Sequence, residues 1–269
     1  MAEEENGIPR AGASGTAWLY VRVAARAVAI ALWTAPLVCA RVVSLPLAAV
    51  ASGVERAIRR WLFKTWAKGI MAIIGMRSRV EGPPPKPPFF MVSNHLTHLD
   101  VILVGSVLGC LFVSKAEVKQ WPLVGFVTRI MNTIFIDRDN PRDTARVNAM
   151  IGQALDAGCG VHVFAEGGVS QDGSLQPFKP ALLEPAVARG HPVHYATITY
   201  RTPDACPLAS ELLIWRRGVS YARNIVEVLK LPEFYATLTF ARAPIADTDR
   251  KRLAERLTKA TRNLFTPTP

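Results

Sequence analysis

Hydrophobic positions follow two regimes along the chain. From Ala27 to Val54 almost every residue is apolar, and only Pro36, Arg41 and Pro46 break the run. One bilayer-spanning helix here would set Arg41 near mid-membrane, at a cost of roughly 2.5–3.5 kcal/mol. Two shorter helices avoid that cost, and each falls below the about 20 residues needed to cross. Arg22 and Arg26 precede the run, while Arg56, Arg59, Arg60, Lys64 and Lys68 follow it. Positive charge at both ends predicts a re-entrant hairpin with its flanks on one side. Next, Trp61 to Met76 interleaves Trp61, Trp66, Lys64 and Lys68 with apolar residues, a mixture suited to a helix lying in the membrane interface. The alternative is a buried helical hairpin of a soluble domain.

The second regime begins after Gly82-Pro83-Pro84-Pro85-Lys86-Pro87-Pro88, which cannot be helical and reads as a semi-rigid spacer. Beyond it, short apolar runs alternate with amphipathic ones. Strands are predicted at Phe89–Val92, Leu111–Val113, Thr133–Ile136, Val161–Phe164, Val193–Tyr200 and Phe234–Phe240. Helices are predicted at Asp100–Leu108, Thr144–Ala157 and Thr248–Phe265. The alternation gives an α/β fold, a mostly parallel sheet covered by helices, preceded by the membrane-associated helical hairpin. The expected organisation is a disordered, initially acidic N-terminus over residues 1–16, membrane-associated helices over 17–80, a Pro-rich linker over 81–88 and a catalytic domain over 89–269. Glu3, Glu4 and Glu5, where a signal peptide would be basic, together with the length of the apolar run, argue against a cleavable leader.

Composition narrows the partners. Half of the 269 residues are hydrophobic and the formal net charge is +11, which calls for an anionic partner, nucleic acid or an anionic bilayer surface. The basic residues sit among aliphatic neighbours rather than along a polar groove, so the bilayer is expected and nucleic acid is not. Cys39, Cys110, Cys159 and Cys206 are far apart, with neither metal nor disulfide spacing. That pattern fits a reducing compartment.

The candidate chemistry lies at the end of the first predicted strand after the spacer, in Ser93-Asn94-His95-Leu96-Thr97-His98-Leu99-Asp100. A His with four residues between it and an Asp can be a base whose ring is oriented by that carboxylate. No Gly-x-Ser-x-Gly elbow occurs in the chain, consistent with a substrate hydroxyl being the group deprotonated. His95, His98 and Asp100 as metal ligands, or His95 as a structural helix cap, are the competing readings. His98 reads as a packing residue.

Three further blocks follow in order: Gly125 leading to Asn132-Thr133-Ile134-Phe135-Ile136-Asp137-Arg138; Val163-Phe164-Ala165-Glu166-Gly167-Gly168-Val169-Ser170-Gln171-Asp172-Gly173 with Pro177-Phe178-Lys179; and His191-Pro192-Val193. With Asn94-His95…Asp100, this set resembles the glycerolipid acyltransferase family over about residues 60–265. The nearest branches look like the bacterial 1-acyl-glycerol-3-phosphate acyltransferases and their lyso-ornithine-lipid relatives. The resemblance implies transfer of a fatty acyl group from a thioester, on coenzyme A or acyl carrier protein, to the hydroxyl of a lysolipid. It implies His95 as general base with Asp100 behind it. It further implies Arg138 and Lys115 on the acceptor's anionic head, Glu166 and Gly167 lining the acceptor pocket, with Glu166 binding hydroxyls, and Pro192 on the acyl side. No metal or bound cofactor is implied, and the expected place is the cytoplasmic face of the cell inner membrane. The third block departs from the family pattern: Gly168 stands for a usual Thr, and Val169 where Arg often stands. The resemblance as a whole gives 1-acyl-sn-glycerol-3-phosphate as the acceptor, and this departure, which removes an expected phosphate-binding arginine, makes lyso-ornithine lipid or another lysolipid the alternative. A non-catalytic lipid-binding protein on the same fold, or a peripheral membrane protein acting through charge alone, are the readings from other classes.

Overall fold

The computed structural model describes residues 13–121, 124–140, 142–216 and 218–269. Helix α1 (Ala13–Ser44) is followed by a short turn of helix α2 (Leu47–Val50) and by α3 (Ser52–Ile74). Then come β1 (Met76–Glu81), β2 (Phe89–Ser93), α4 (Leu99–Leu108), β3 (Leu111–Lys115), α5 (Val124–Ile130), β4 (Ile134–Ile136), α6 (Asp143–Asp156) and β5 (Gly160–Phe164). The chain closes with α7 (Glu184–Ala188), β6 (Val193–Arg201), α8 (Ala209–Leu212), α9 (Tyr221–Lys230), β7 (Phe234–Phe240) and α10 (Arg250–Leu264). Every strand and helix expected beyond the prolines is present, within a few residues of its predicted ends.

The seven strands form one sheet in the order β1-β7-β6-β2-β5-β3-β4. All neighbours are parallel except β6 and β7, which run antiparallel. Alternation along β2 divides the core. Phe89 and Met91 pack with α3, α4 and α9 on one face, and Phe90 and Val92 with α6 and α10 on the other. A strand buried on both faces is expected to be continuously apolar, and Phe89-Phe90-Met91-Val92 is.

The N-terminal helices differ from the expectation in three ways. First, α1 does not break at Pro36: it runs through it as a 32-residue helix, about 48 Å long at 1.5 Å per residue. Its 28-residue stretch Ala17–Ser44 is long and apolar enough to cross a membrane. The chain reverses instead at Leu45–Ala51, after which α3 returns antiparallel along α1, with the Trp66 indole donating to Thr34 Oγ1 and the Trp33 indole to the Trp66 carbonyl. Proline removes one helical hydrogen bond without preventing the helix when neighbouring turns are anchored, and these are. Second, Arg41 is fully buried in protein, donating to the Ile130 carbonyl at 2.7 Å, Ser44 Oγ at 3.0 Å and Glu55 Oε1 at 2.6 Å. Third, the prolines are no boundary between a helical unit and the sheet, because β1 precedes them and pairs with β7 over six residues. Gly75 makes the α3-to-β1 corner: its φ of 79° is left-handed, and a Cβ there would lie 2.5 Å from the Pro232 carbonyl. Of the tail expected at 1–16, residues 1–12 lie outside the described residues, and Ala13 already starts α1.

Helix α1 is amphipathic in an inverted sense. Its protein-facing stripe, spaced by three and four, includes Arg22, Val23, Arg26, Ile30, Thr34 and Arg41. Its outer face carries Trp18, Tyr20, Val21, Val28, Leu32, Val42 and Val43, all exposed. Arg22 and Arg26 donate to carbonyls of Leu229, Lys230, Leu231 and Pro232 at the end of α9, so both ends of α1 are fastened to the same globular body.

Candidate active site

The loop after β2 builds the site. Asn94 is wholly buried and acts as an extra strand residue: its Nδ2 donates to the Ile198 carbonyl at 2.9 Å, and its Oδ1 accepts from the Ile198 amide at 2.7 Å. The chain then turns into α4, whose first turn holds Asp100. The Asp100 carboxylate is inaccessible to solvent and takes four donors. Oδ2 accepts from His95 Nδ1 at 2.7 Å and from the amides of Leu96 at 2.7 Å and Thr97 at 3.0 Å. Oδ1 accepts from the Tyr200 hydroxyl at 2.7 Å. Burial, and next the Asp100 charge, push the Tyr200 phenol well above its ordinary range, so it remains a donor. A carboxylate accepting three donors besides the ring fixes the proton on His95 Nδ1. Nε2, which has no partner among the described residues, then carries a lone pair.

Two more groups position the imidazole. Phe164, the last residue of β5, stacks on it with centroids 3.8 Å apart at 12°. Glu166 accepts from the His95 amide at 2.8 Å through Oε2 and from the Gln176 amide at 2.8 Å through Oε1, and the His95 carbonyl accepts from the Ser170 amide at 2.8 Å. The third block thus clamps the backbone of the first. Burial raises the Glu166 carboxyl to about 8 against the two amide hydrogen bonds, which lower it.

Lys115 ends β3, and Arg138 and Gly167 follow the carboxyl ends of β4 and β5, all on the same side of the sheet as His95. Ligands of open parallel sheets gather at this side. Arg138 Nη1 donates to the Gly167 carbonyl at 2.5 Å, and Lys115 pairs with Glu117. Gly167 has φ 79°, and a Cβ there would come within 2.8 Å of Lys179 Nζ, so glycine lets this lysine cross the turn. Pro192 is the residue not brought in. It is exposed just before β6, level with the amino end of β2 by the pairing Phe90↔Val193, at the opposite end of that strand from His95.

His98 packs edge-on against Trp215 and Tyr221 with centroids 6.5 and 4.9 Å apart, and burial lowers it to about 4. Among the described residues no group of three or more His, Cys, Asp or Glu could hold a metal ion. Sequence reasoning missed Tyr200, Phe164 as a stacking platform, and Asn94 as the tie to β6. Asn94 and Phe164 had a local signal, their places inside the first and third blocks, and Tyr200 had none.

An acyltransferase family model matches residues 77–200, the stretch that holds His95, Asp100, Arg138, Glu166 and Tyr200. Among its relatives, the lyso-ornithine lipid O-acyltransferase of Pseudomonas aeruginosa is 32% identical over 151 residues, 55% of this chain and 58% of that protein. The 1-acyl-sn-glycerol-3-phosphate acyltransferase of Neisseria meningitidis serogroup B is 30% identical over 135 residues, 49% of this chain and 53% of that protein. The chain thus spans little more than half the length of these curated relatives. The crystal structure of the 1-acyl-sn-glycerophosphate acyltransferase PlsC from Thermotoga maritima has the same fold, with a TM-score of 0.65 at 19% identity over 92% of this chain and 95% of that one.

Proposed function

We propose that the protein transfers a fatty acyl group from an acyl thioester, on coenzyme A or acyl carrier protein, to the free hydroxyl of a lysolipid. The observation that carries this reading is the 2.7 Å contact between His95 Nδ1 and an Asp100 carboxylate held by three other donors, which leaves Nε2 open. Nε2 takes the hydroxyl proton as the oxygen attacks the thioester carbonyl. Asp100 stabilises the imidazolium that forms, and the proton leaves with the thiolate as the tetrahedral intermediate collapses. The amides of Gly168 and Val169 have no partner among the described residues and are candidate donors to the oxyanion. The chemistry needs no metal and no bound cofactor.

For the acceptor we favour 1-acyl-sn-glycerol-3-phosphate. Arg138 and Lys179 reach the Gly167 turn, Lys115 pairs with Glu117, whose charge Arg138 also feels, and a phosphate at the turn would meet charge-assisted donors. Glu166 would reach acceptor hydroxyls with the lone pairs left beside its two amides. Lyso-ornithine lipid is the second reading, favoured by Val169, which supplies no charge, and by the name of the Pseudomonas relative. The working place is the cytoplasmic face of the inner membrane, with α1 lying in the interface. A bilayer cannot separate the ends of a helix whose Arg22 and Arg41 both bond to one globular body.

Thiol release by the purified full-length protein, with lysophosphatidate and lyso-ornithine lipid offered separately, tests the reading. His95→Ala should lower turnover by about 10²–10⁴-fold; near wild-type turnover removes His95 as the base. Arg138→Ala should raise KM for lysophosphatidate while sparing a zwitterionic acceptor. Equal weakening of both makes Arg138 structural.

A further inference from the structure

A cavity lined by three arginines lies at the end of the sheet opposite His95. It has a volume of about 320 Å³ and sits where α3 passes the amino ends of β2, β3 and β5. Its lining includes Arg56, Arg59, Arg60, Phe89, Cys110 and Cys159, and no carboxylate. Phe89 and Ser93 bracket β2, so one strand length, about 13 Å, separates the cavity from the loop that carries His95.

The charge around this cavity does not balance. Glu55 is the nearby acid, buried beneath it, and its Oε1 already takes the Arg41 guanidinium at 2.6 Å. The Arg59 side chain, 7% exposed, lies with Nε 3.4 Å from the same oxygen, in a geometry that makes no hydrogen bond. Among the described residues Arg59 Nη2 reaches only Cys159 Sγ, at 3.8 Å. Two guanidiniums therefore share one carboxylate, leaving a surplus positive charge out of water beside an open space. Arg56 has no acidic partner among the described residues, and Arg60 spends Nε on the Leu108 carbonyl at 3.1 Å. A buried charge without a counter-charge is costly unless an anion supplies it. Planar guanidinium donors grouped in threes suit phosphate oxygens.

The rim indicates which phosphate. The same corner of α2 and α3 presents Val50, 83% exposed, and Val54, 53% exposed, with Val43 and Leu45 beside them at the end of α1. An anion with apolar chains attached would find both surfaces next to each other. From the surplus of guanidinium charge in the cavity and the apolar rim beside it, we infer that Arg56, Arg59 and Arg60 form a binding site for the phosphate of an anionic phospholipid, separate from the acyl-transfer site. The site seats α3 on the membrane surface and needs none of the chemistry at His95.

The test uses the full-length protein with Cys39→Ser and Cys206→Ser, leaving Cys159 as the thiol that maleimide reports, since burial pushes Cys110 up to about 12. Vesicles of phosphatidylcholine containing phosphatidylglycerol should protect Cys159, whereas pure phosphatidylcholine vesicles and millimolar inorganic phosphate should not. In co-sedimentation, Arg56→Gln/Arg60→Gln should weaken binding to the anionic vesicles by about tenfold or more, and Arg56→Gln alone should weaken it well beyond Lys68→Gln, which removes equal charge from the same helix outside the cavity. Arg56→Gln alone, at a side chain that makes no hydrogen bond among the described residues, should give part of the loss in a protein whose fold is not at risk. Protection by inorganic phosphate without protection by vesicles assigns the site to a soluble phosphate and overturns the lipid. Equal losses for Lys68→Gln and Arg56→Gln, or no protection by either probe, overturn the site itself.

Discussion

Asp100 and Glu55 are both buried carboxylates at the margins of the same sheet, and their surroundings are opposite. Asp100 is held by four donors, none of which carries a fixed positive charge. Glu55 faces two guanidiniums and accepts a hydrogen bond from only one of them. In the proposed function, the first arrangement keeps one negative charge in reserve for an imidazolium that forms and decays during turnover. The second already has more positive than negative charge, so it stabilises a standing anion better than a transient cation. A buried carboxylate is thus a poor guide to function until its partners are counted. One is suited to proton transfer and the other to holding a helical corner open to a phosphate.

The largest effect on stability is expected at Glu55. Glu55→Gln leaves Arg41 and Arg59 buried with no counter-charge, and removal of one partner of a buried pair typically costs about 3–5 kcal/mol. Denaturant unfolding in detergent measures it. A loss below about 1 kcal/mol would mean that water or lipid already reaches these guanidiniums, and the contrast with Asp100 would collapse.

That contrast also marks how far the sequence could be read. The His95–Asp100 contact was legible because its information is local: β2 opens with the unbroken apolar run Phe89–Val92, and His95 finds Asp100 five residues on. The family resemblance supplied the order of the other blocks. Arg41 was misread because its partner Glu55 lies across a corner that only the folded hairpin creates. The lipid-cost argument is sound for an arginine facing hydrocarbon, but α1 turns its arginines inward and its tryptophan and valines outward. Strand β1 was missed because Arg77-Ser78-Arg79 shows no apolar alternation; it is an edge strand held by backbone pairing with β7. Tyr200 was invisible for another reason. It is a hundred residues from Asp100, and nothing in the apolar β6 marks its hydroxyl as different from any other strand tyrosine's.

Tyr200→Phe sharpens the Asp100 side of the comparison. It removes one donor and almost no volume, leaving Oδ1 buried and unpaired while the three donors on Oδ2 remain. Hydrogen bonds to a charged group are worth about 1.5–3 kcal/mol, so a stability loss in that range is expected. Turnover should fall much less than in His95→Ala, with KM for the lysolipid nearly unchanged, because Tyr200 touches Asp100 and not the acceptor. A KM effect larger than the effect on kcat would place Tyr200 against substrate instead.

The smallest effect concerns a third carboxylate, Glu166, which accepts from two backbone amides and, among the described residues, from no charged side chain. Burial raises it from 4.5 to about 8, so between those values the folded state holds a proton that the unfolded chain has released. Its contribution is fully present below pH 4.5 and is lost as pH rises toward 8. Two histidines oppose it. Burial lowers His98 to about 4 and His162, fully buried with Nε2 3.1 Å from Ser93 Oγ and Nδ1 unpartnered, to about 3. Their contribution is present above 6.5 and is lost as pH falls below it. From 4.5 to 6.5 these two histidines, joined by His194, which burial also lowers, outweigh one carboxyl and stability climbs with pH; from 6.5 to 8 the Glu166 contribution falls away and stability declines, by on the order of 1 kcal/mol. A maximum a little above pH 6.5 is expected in the denaturation midpoint measured across this range. Glu166→Gln should flatten the decline above 6.5 whatever it does to the midpoint itself, and leave the rise below 6.5 in place. An unchanged decline in that variant would mean that Glu166 stays ionised through neutral pH, its two amides outweighing burial, and would move it to the side of Asp100.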